Sequence, residues 1–282
     1  MRILSYTFET SLSFSEPVTE HSFVLRCMPK SCARQTVLSS QTIISPASSI
    51  SQQVDGFENI LQIGRIGREH DAFDFASSGV VMVDAEDARP RILHPVFTRP
   101  SRYTMPNAQI EAFAAEVVGQ NVISGQPESL SQAACEACSG DNAWKMACDL
   151  NAALATKLEY MPGETDTSTT AAEAFELGRG VCQDFAHILI TCCRLAKIPA
   201  RYASGLMLGE GKTHAWVDIF DGVRWRGIDP THACIVDDKY ITIAHGRDFS
   251  DCPIEVGVFT GSAKQHQEVQ VKVTDQAAVT SR

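Results

Sequence analysis

The hydrophobic positions of the first 98 residues fall in short runs typical of β-strands, with little helical period. Segments such as HSFVLRCM and SGVVMVD are rich in β-branched and aromatic residues. Turn-forming pairs separate these segments: Glu16-Pro17, Met28-Pro29, Ser45-Pro46 and Asp55-Gly56. We therefore predict an N-terminal antiparallel β-sandwich over residues 1–98, ending in a proline-punctuated connector.

Beyond the connector, the hydrophobic positions change to a helical period. Asn107 stands at the N-cap position of the first such segment. Its hydrophobic positions fall at i, i+3, i+4 and i+7: Ile110, Phe113, Ala114 and Val117. A second helix is predicted over residues 141–160. The pattern from Thr170 to Glu173 is a capping box that opens a short helix, and Gly178 closes it.

The stretch GRGVCQDFAH, residues 178–187, leads into a long amphipathic helix. The helix begins near Cys182 and must end before Pro199, because proline removes a helical hydrogen bond and clashes with the preceding turn. Strand-like segments follow: ARYASGLML, THAWVDIF, VRWRGID, ITIAH and EVQVKV. Helices followed by antiparallel strands predict an α+β fold, with residues 99–282 forming the second domain.

Composition and charge narrow the class of protein. Hydrophobic residues make up 44% and charged residues 21% of the 282 positions, as in ordinary globular proteins. A formal charge of −10 disfavours nucleic acid and anionic membranes as partners. The sequence has no run of 18 apolar residues, and its first residues lack the pattern of a signal peptide. We expect a cytoplasmic protein.

The ten cysteines are expected to be mostly free thiols in a reducing compartment. Cys135 and Cys138 have the spacing of a metal or redox pair, but no second pair follows at the spacing of a zinc site. Cys192 and Cys193 lie within the apolar helical pattern and are predicted to pack in the core.

Cys182 is the first candidate for chemistry. At the start of a helix its sulfur lies beside unpaired backbone N–H groups, and this environment favours the nucleophilic thiolate. Gly178 and Gly180 permit a tight turn and a close approach of other groups. The alternative is a space-filling role under the turn, since cysteine is among the most buried residue types.

A hairpin supplies a candidate base and its partner. Asp221-Gly222 between two strand segments is typical of a two-residue turn, which would pair Phe220 with Val223. In that register His214 lies directly opposite Asp229, close enough for the carboxylate to hold the imidazole. The alternatives are an exposed strand residue for His214 and a turn former for Asp229.

The motifs GRGVCQDFAH, IPARY, THAWVDIF and GIDPTH resemble the bacterial transglutaminase-like cysteine protease family. The N-terminal pieces YTFETSLSFSEPV and DGFENIL are similar to the β-sandwich that commonly precedes this catalytic domain, and GRDFSDCP to a segment that follows the catalytic hairpin. The order Cys, His, Asp of the family's triad falls on Cys182, His214 and Asp229.

The resemblance implies a papain-like fold and acyl transfer through a thioester on Cys182, with His214 as acid and base and Asp229 as its orienting partner. The backbone N–H of Cys182 would contribute to an oxyanion hole. Trp144 is a candidate for the second donor, although core packing explains it as well, and Gln183 and His187 are expected to point elsewhere. No loop with calcium-ligand spacing is visible, and no cofactor is expected.

These features favour a cysteine-dependent hydrolase acting on a peptide, a protein or a small amide substrate. A transglutaminase that transfers the acyl group to an amine is the first alternative. A catalytically silent binding module is a second, because fold and motif do not guarantee activity. A zinc or redox protein using Cys135 and Cys138 is the third.

Overall fold

An eight-stranded antiparallel sheet, called the first sheet below, forms one part of the molecule. The structure is a computed structural model, and it describes residues 1–46, 49–84, 93–121 and 141–279. The N-terminal strands are β1 (Arg2–Leu25), β2 (Gln35–Ser45), β3 (Ile50–Val54), β4 (Ile60–Ile66) and β5 (His70–Val83). The other strands of this sheet are β9 (Gly209–Gly211), β14 (Glu255–Thr260) and β15 (Gln265–Asp275). The predicted N-terminal antiparallel β-structure is confirmed.

Strand β1 belongs to both halves of this sheet. Its first half, up to Phe14, pairs with β5 on one side and β15 on the other. Its second half pairs with β4 and β14. The register of β1 with β5 shifts between Ser13 and Val18. Beyond this shift, Phe23 of β1 packs against Phe73 of β5, with the two ring centroids 4.7 Å apart. A shared aromatic core therefore joins the two halves.

The strand segment EVQVKV does not lie where its place in the chain suggested. We predicted it as part of the second domain's sheet, but it belongs to β15, whose residues Gln265–Asp275 pair along β1. That expectation is wrong because strand pairing between chain ends leaves no local signal in the sequence. The division at residue 98 stays a prediction, while the first sheet contains strands from both ends of the chain.

The second sheet has five strands in the order β12-β11-β10-β8-β13. These are β8 (Ala200–Met207), β10 (His214–Phe220), β11 (Trp225–Asp229), β12 (Cys234–Ile235) and β13 (Tyr240–Gly246). Helix α4 (Cys182–Leu195) packs on β8 and β10, and three further helices pack against α4. They are α1 (Ala108–Asn121), α2 (Asp141–Leu154) and α3 (Ala171–Leu177). The α+β fold class is confirmed.

The predicted helix starts agree with the structure better than the predicted ends. The Asn107 side chain accepts the N–H of Ile110 at 2.9 Å, as expected of an N-cap. Helix α2 begins at Asp141 but ends at Leu154, before the predicted end. After Leu154 the chain leads into the two-residue strand β6 (Glu159–Tyr160). This strand pairs in parallel with β7 (Arg179–Gly180), which lies just before Cys182.

Side chains of the first sheet bind the edge of the second. The Gln35 amide donates to the carbonyl oxygen of Thr242 at 2.7 Å and accepts its N–H at 2.8 Å. The Asn59 amide does the same for His245, with both bonds at 2.8 Å. These two amides satisfy backbone groups of the edge strand β13, which would otherwise be open to another strand.

Short 3-10 helices at Pro95–Thr98 and Phe249–Asp251 and a helical turn at Gln276–Val279 complete the elements of the described residues. None of the helices in this part of the chain combines the length and apolar character needed to cross a bilayer.

Candidate active site

The turn before α4 is built around two glycines with different roles. Gly178 ends α3 with φ +67°, the left-handed conformation that glycine adopts without strain. The predicted capping box is also present, with Thr170 and Glu173 bonded reciprocally at the start of α3. Gly180 has no room for a side chain, because an added Cβ would lie 2.5 Å from a carboxylate oxygen of Asp184.

Asp184 fixes the first turn of α4 to this glycine turn. Its Oδ2 accepts the N–H of Val181 at 2.7 Å and the hydroxyl of Thr165 at 2.7 Å. A carboxylate in the first turn satisfies a backbone donor and interacts favourably with the helix dipole. Gly180 therefore makes room for a helix cap rather than for a group approaching the sulfur, and Cys182 is held as the first residue of α4.

His214 and Asp229 meet, but in a different hairpin register from the predicted one. Phe220 pairs with Trp225, not with Val223, and the predicted two-residue turn is therefore wrong. The Asp221 carboxylate accepts the N–H groups of Val223 and Arg224 at 3.0 and 2.9 Å, which closes a longer loop. The shift moves the pairing by two residues and so preserves the face on which each side chain lies. His214 Nε2 donates to Asp229 Oδ2 at 2.7 Å.

Asp229 is completely buried and saturated with hydrogen bonds. Its Oδ1 accepts the backbone N–H groups of Thr231 and His232 at 3.0 and 3.2 Å. Its Oδ2 accepts from His214, from His232 Nδ1 at 2.7 Å and from the Tyr240 hydroxyl at 2.9 Å. These donors hold the carboxylate in one orientation, which in turn fixes the imidazole of His214.

His232 and Tyr240 were missed in the sequence. His232 follows Asp229 by three residues in the quoted motif GIDPTH, so the motif could have pointed to it. Tyr240 comes from the more distant strand β13, and only the fold brings it to Asp229. One ring nitrogen each of His214 and His232 and one carboxylate oxygen of Asp229 lie within 4.8 Å of one another. Three such atoms at this spacing could coordinate a metal ion.

Burial and charge act in opposite directions on the histidine and its partner. Burial lowers the pKa of His214, but the hydrogen bonds and charges of Asp229 and Cys182 outweigh it and raise the pKa to about 9. Burial raises the pKa of Asp229, but the bonds from His214, His232 and Tyr240 lower it to about 2. At neutral pH the pair is therefore an imidazolium and a carboxylate.

Cys182 lies against this pair and is partly exposed. Its thiol is among the hydrogen-bond partners that stabilise the charged form of His214. Because Nε2 of the ring bonds Asp229, Nδ1 is the nitrogen left for the sulfur. The structure thus brings together the three residues that the sequence singled out.

The other candidates lie in different surroundings. His187 is completely buried, its Nε2 accepts the N–H of Phe249 at 3.1 Å, and burial lowers its pKa to about 4. Gln183 donates to the carbonyl of Thr167 at 3.3 Å. The guanidinium of Arg226 lies 3.7 Å from the ring centre of Trp144, whose role as an oxyanion donor stays a prediction. Cys135 and Cys138 lie outside the described residues, whereas Cys192 and Cys193 are buried as predicted.

Comparison with known proteins shows which family models this chain matches. Residues 130–230 match the model of the transglutaminase-like superfamily, and residues 4–82 match that of the bacterial transglutaminase-like N-terminal region. The chain is therefore similar to the transglutaminase-like superfamily over its core and to bacterial transglutaminase-like proteins over its N-terminal region, and the resemblance seen in its motifs is confirmed at this level.

Two kinds of relative cover nearly the whole chain. An uncharacterized protein of Mycobacterium leprae is 26% identical over 94% of this chain and 96% of its own length. One of Mycobacterium tuberculosis is 26% identical over 95% of this chain and 91% of its own. The crystal structure of a candidate cysteine protease from Cytophaga hutchinsonii superposes with a TM-score of 0.71 at 19% identity, covering 98% of this chain and 91% of the other. That likeness shows a shared fold.

Proposed function

We propose that the protein is a cysteine-dependent hydrolase that cleaves a peptide or another amide bond through a thioester intermediate. The observation that carries the proposal is the position of Cys182 at the first residue of α4, beside a His214 that the buried Asp229 holds at 2.7 Å. An imidazolium with its pKa raised to about 9 stabilises a neighbouring thiolate and is still protonated at neutral pH.

The first half-reaction forms the thioester. Cys182 Sγ attacks the carbonyl carbon as a thiolate, and the carbonyl oxygen takes the negative charge, which the backbone N–H of Cys182 helps to bind. When the tetrahedral intermediate collapses, the C–N bond breaks and the proton of His214 passes to the leaving amine. Asp229 keeps the ring in the orientation and tautomer that this transfer needs.

The second half-reaction regenerates the enzyme. His214 takes a proton from water, the resulting hydroxide attacks the thioester, and the C–S bond breaks to release a carboxylic acid and the Cys182 thiolate. The imidazolium is thereby restored beside the thiolate. A primary amine in place of water would give the transglutaminase reaction.

The test is a panel of peptide and small amide substrates, with and without a primary amine. We expect turnover in water, an acyl adduct on Cys182 in the intact-mass spectrum, and loss of both in Cys182→Ala. His214→Ala should also lose turnover while it remains folded. Amine incorporation faster than hydrolysis would contradict the hydrolase and favour the transglutaminase. A folded protein that turns over no member of the panel would count against both and favour a binding module.

A further inference from the structure

A cavity of about 760 Å³ lies near the end of β10 that is opposite to His214. Its lining comes from the segments 30–34, 56–58 and 94–97 and from strands β8, β10, β11 and β13. Cys182, His214 and Asp229 do not line it. Its volume is that of a site for a small molecule, which ranges from about 300 to 1,000 Å³.

The polar lining is dominated by cations, although the whole chain carries a formal charge of −10. Four of the lining residues are cationic: Lys30, Arg34, Arg201 and Arg247. Only Asp218 and Glu58 among the lining residues are acidic. Arg201 donates to the carboxylate of the buried Asp218 at 2.9 Å, and Arg247 donates to the carboxylate of Asp251 at 2.8 Å. Each of these two arginines is therefore already paired with an acidic group.

Lys30 and Arg34 are the other two cations of the lining. Lys30 is buried, donates to the carbonyl of Phe57 at 2.9 Å, and lies 3.7 Å from a Glu58 carboxylate that is 80% exposed. Burial and the like charge of Arg201 lower the pKa of Lys30, with opposition from Glu58. Arg34 is also buried and donates to a backbone carbonyl, that of Asp237, at 2.8 Å.

Two buried side-chain nitrogens of the lining residues have no hydrogen-bond partner within the described part of the chain. One is Nε of Arg34, and the other is Nδ1 of His245, a residue that is only 5% exposed. His245 Nε2 lies 3.0 Å from the guanidinium of Arg201 and 3.4 Å from the carboxylate of Asp218, so this nitrogen is held between a donor and an acceptor.

The remaining wall is aromatic. The rings of Phe97 and Trp225 lie 5.3 Å apart, and those of Phe57 and Phe97 lie 6.0 Å apart. The guanidinium of Arg201 lies 4.2 Å from the centre of the Trp225 ring. Such a wall contacts an apolar or planar body, while the donors on the other side contact a negative group.

We propose that this cavity binds a small organic anion, in which a carboxylate or phosphate group is carried on an aromatic or apolar body. The negative group lies beside Lys30 and Arg34, and the body lies against Phe97 and Trp225. This site is separate from the triad and does not depend on the proposed hydrolase activity.

Direct binding of four probes tests the proposal: phenyl phosphate, benzoate, inorganic phosphate and the neutral benzamide. Intrinsic tryptophan fluorescence and the thermal unfolding midpoint provide two independent readouts, and Trp225 is the one of the three tryptophans that lines the cavity. We expect saturable binding of phenyl phosphate or benzoate, and the stronger of the two identifies the anionic group. Inorganic phosphate and benzamide should bind at least tenfold more weakly, because each lacks half of the recognised chemistry.

Matched variants connect the binding to the cavity. Arg34→Gln and Lys30→Gln should each weaken the aromatic anion about tenfold or more, as expected when a charged hydrogen bond worth about 1.5–3 kcal/mol is lost. Lys264→Gln removes the same charge from an exposed position and should leave the affinity unchanged. Cys182→Ala should bind as the parent does, so the result is independent of catalysis.

Two outcomes would overturn the proposal. The first is that neither aromatic anion binds saturably to the parent protein. The second is that binding is unaffected in both Arg34→Gln and Lys30→Gln while both variants unfold at the parent's temperature. Equal affinity for inorganic phosphate and phenyl phosphate would overturn the role of the aromatic wall.

Discussion

At the scale of single residues, one carboxylate oxygen organises the site. Asp229 Oδ2 accepts hydrogen bonds from His214, His232 and Tyr240, and the whole carboxylate is buried. The three donors are unequal in exposure: the side chain of His232 is 48% exposed, whereas that of His214 is 11% exposed. We therefore expect His232 to tune Asp229, and His214 to carry the chemistry.

The pH dependence of activity should show this difference. His214 has its pKa raised to about 9, so the proton that it gives to the leaving amine is present below that pH and lost above it. We expect kcat/KM to fall as pH rises through about 9. In Asp229→Asn the stabilising charge is gone, so the falling limb should move toward the ordinary histidine range near pH 6.5, and kcat/KM should drop by about 1,000-fold or more.

His232→Gln provides the contrast. It removes one donor to Asp229 and leaves the bond between His214 and Asp229 in place. We expect kcat/KM to fall by less than about tenfold, in line with the loss of one hydrogen bond of about 1 kcal/mol. The alkaline limb should stay close to that of the parent. A loss as large as that of Asp229→Asn would contradict this division of roles.

At the scale of elements, one buried arginine joins the connector to the end of α4. Arg194 donates to the carbonyls of Phe97, Ala200 and Arg247 at 3.2, 3.0 and 2.6 Å. It also donates to the hydroxyls of Ser101 and Thr104 at 3.1 and 2.7 Å. Burial lowers its pKa to about 10, which still leaves it charged at neutral pH.

Arg194→Met tests how much this connection stabilises the fold. The methionine fills part of the volume but leaves several buried acceptors without a donor, and each can cost about 1–3 kcal/mol. We expect the free energy of unfolding to fall by about 3 kcal/mol or more, measured by urea denaturation. Arg99→Met, at an exposed position, is the control and should change it by less than about 0.5 kcal/mol. Equal effects of the two substitutions would show that the buried bonds contribute little.

The elements also show which features a sequence can reveal. The cap at Asn107, the capping box at Thr170 and the start of α4 at Cys182 are local patterns, and all three are present. The hairpin register was wrong because the Asp221 carboxylate closes a longer loop than its neighbour Gly222 suggested. The residues His214 and Asp229 still meet, since a shift of two preserves the face of a strand.

At the scale of the whole molecule, the two ends of the chain depend on each other. Strand β15 covers one side of β1 and also pairs with the short strand β9, which lies three residues before His214. This connection could not be predicted from local patterns, since its partners are separated by most of the chain. It extends from the N-terminal sheet to the segment that positions the candidate base.

Truncation after Lys264 removes β15 and tests this dependence. The truncated chain exposes an edge of β1 and loses the buried side chains of Val271 and Val273, each worth about 1.5–3 kcal/mol. We expect the unfolding midpoint to fall by about 10 °C or more, or the protein to aggregate. Truncation after Asp275 keeps the strand and should unfold near the parent's temperature. Equal midpoints for the two truncations would contradict the role of β15.

The same dependence bears on the division at residue 98. A fragment of residues 99–282 would lack β1, the partner of both β14 and β15, together with the amides of Gln35 and Asn59 that cap the edge of β13. Strand pairing and side-chain hydrogen bonds therefore join the two predicted domains, and the first sheet reaches the segment that leads to His214 through β9.

The proposed chemistry depends on the activation of Cys182 by His214, and the rate of Cys182 alkylation as a function of pH tests this activation most directly. The parent and His214→Ala would be compared, each with its own Cys182→Ala control to subtract the other thiols. We expect fast alkylation of the parent already at pH 6, because an imidazolium beside the sulfur favours the thiolate. In His214→Ala the rate at pH 6 should fall at least tenfold and rise with pH. Slow alkylation with the same pH dependence in both proteins would contradict the claim.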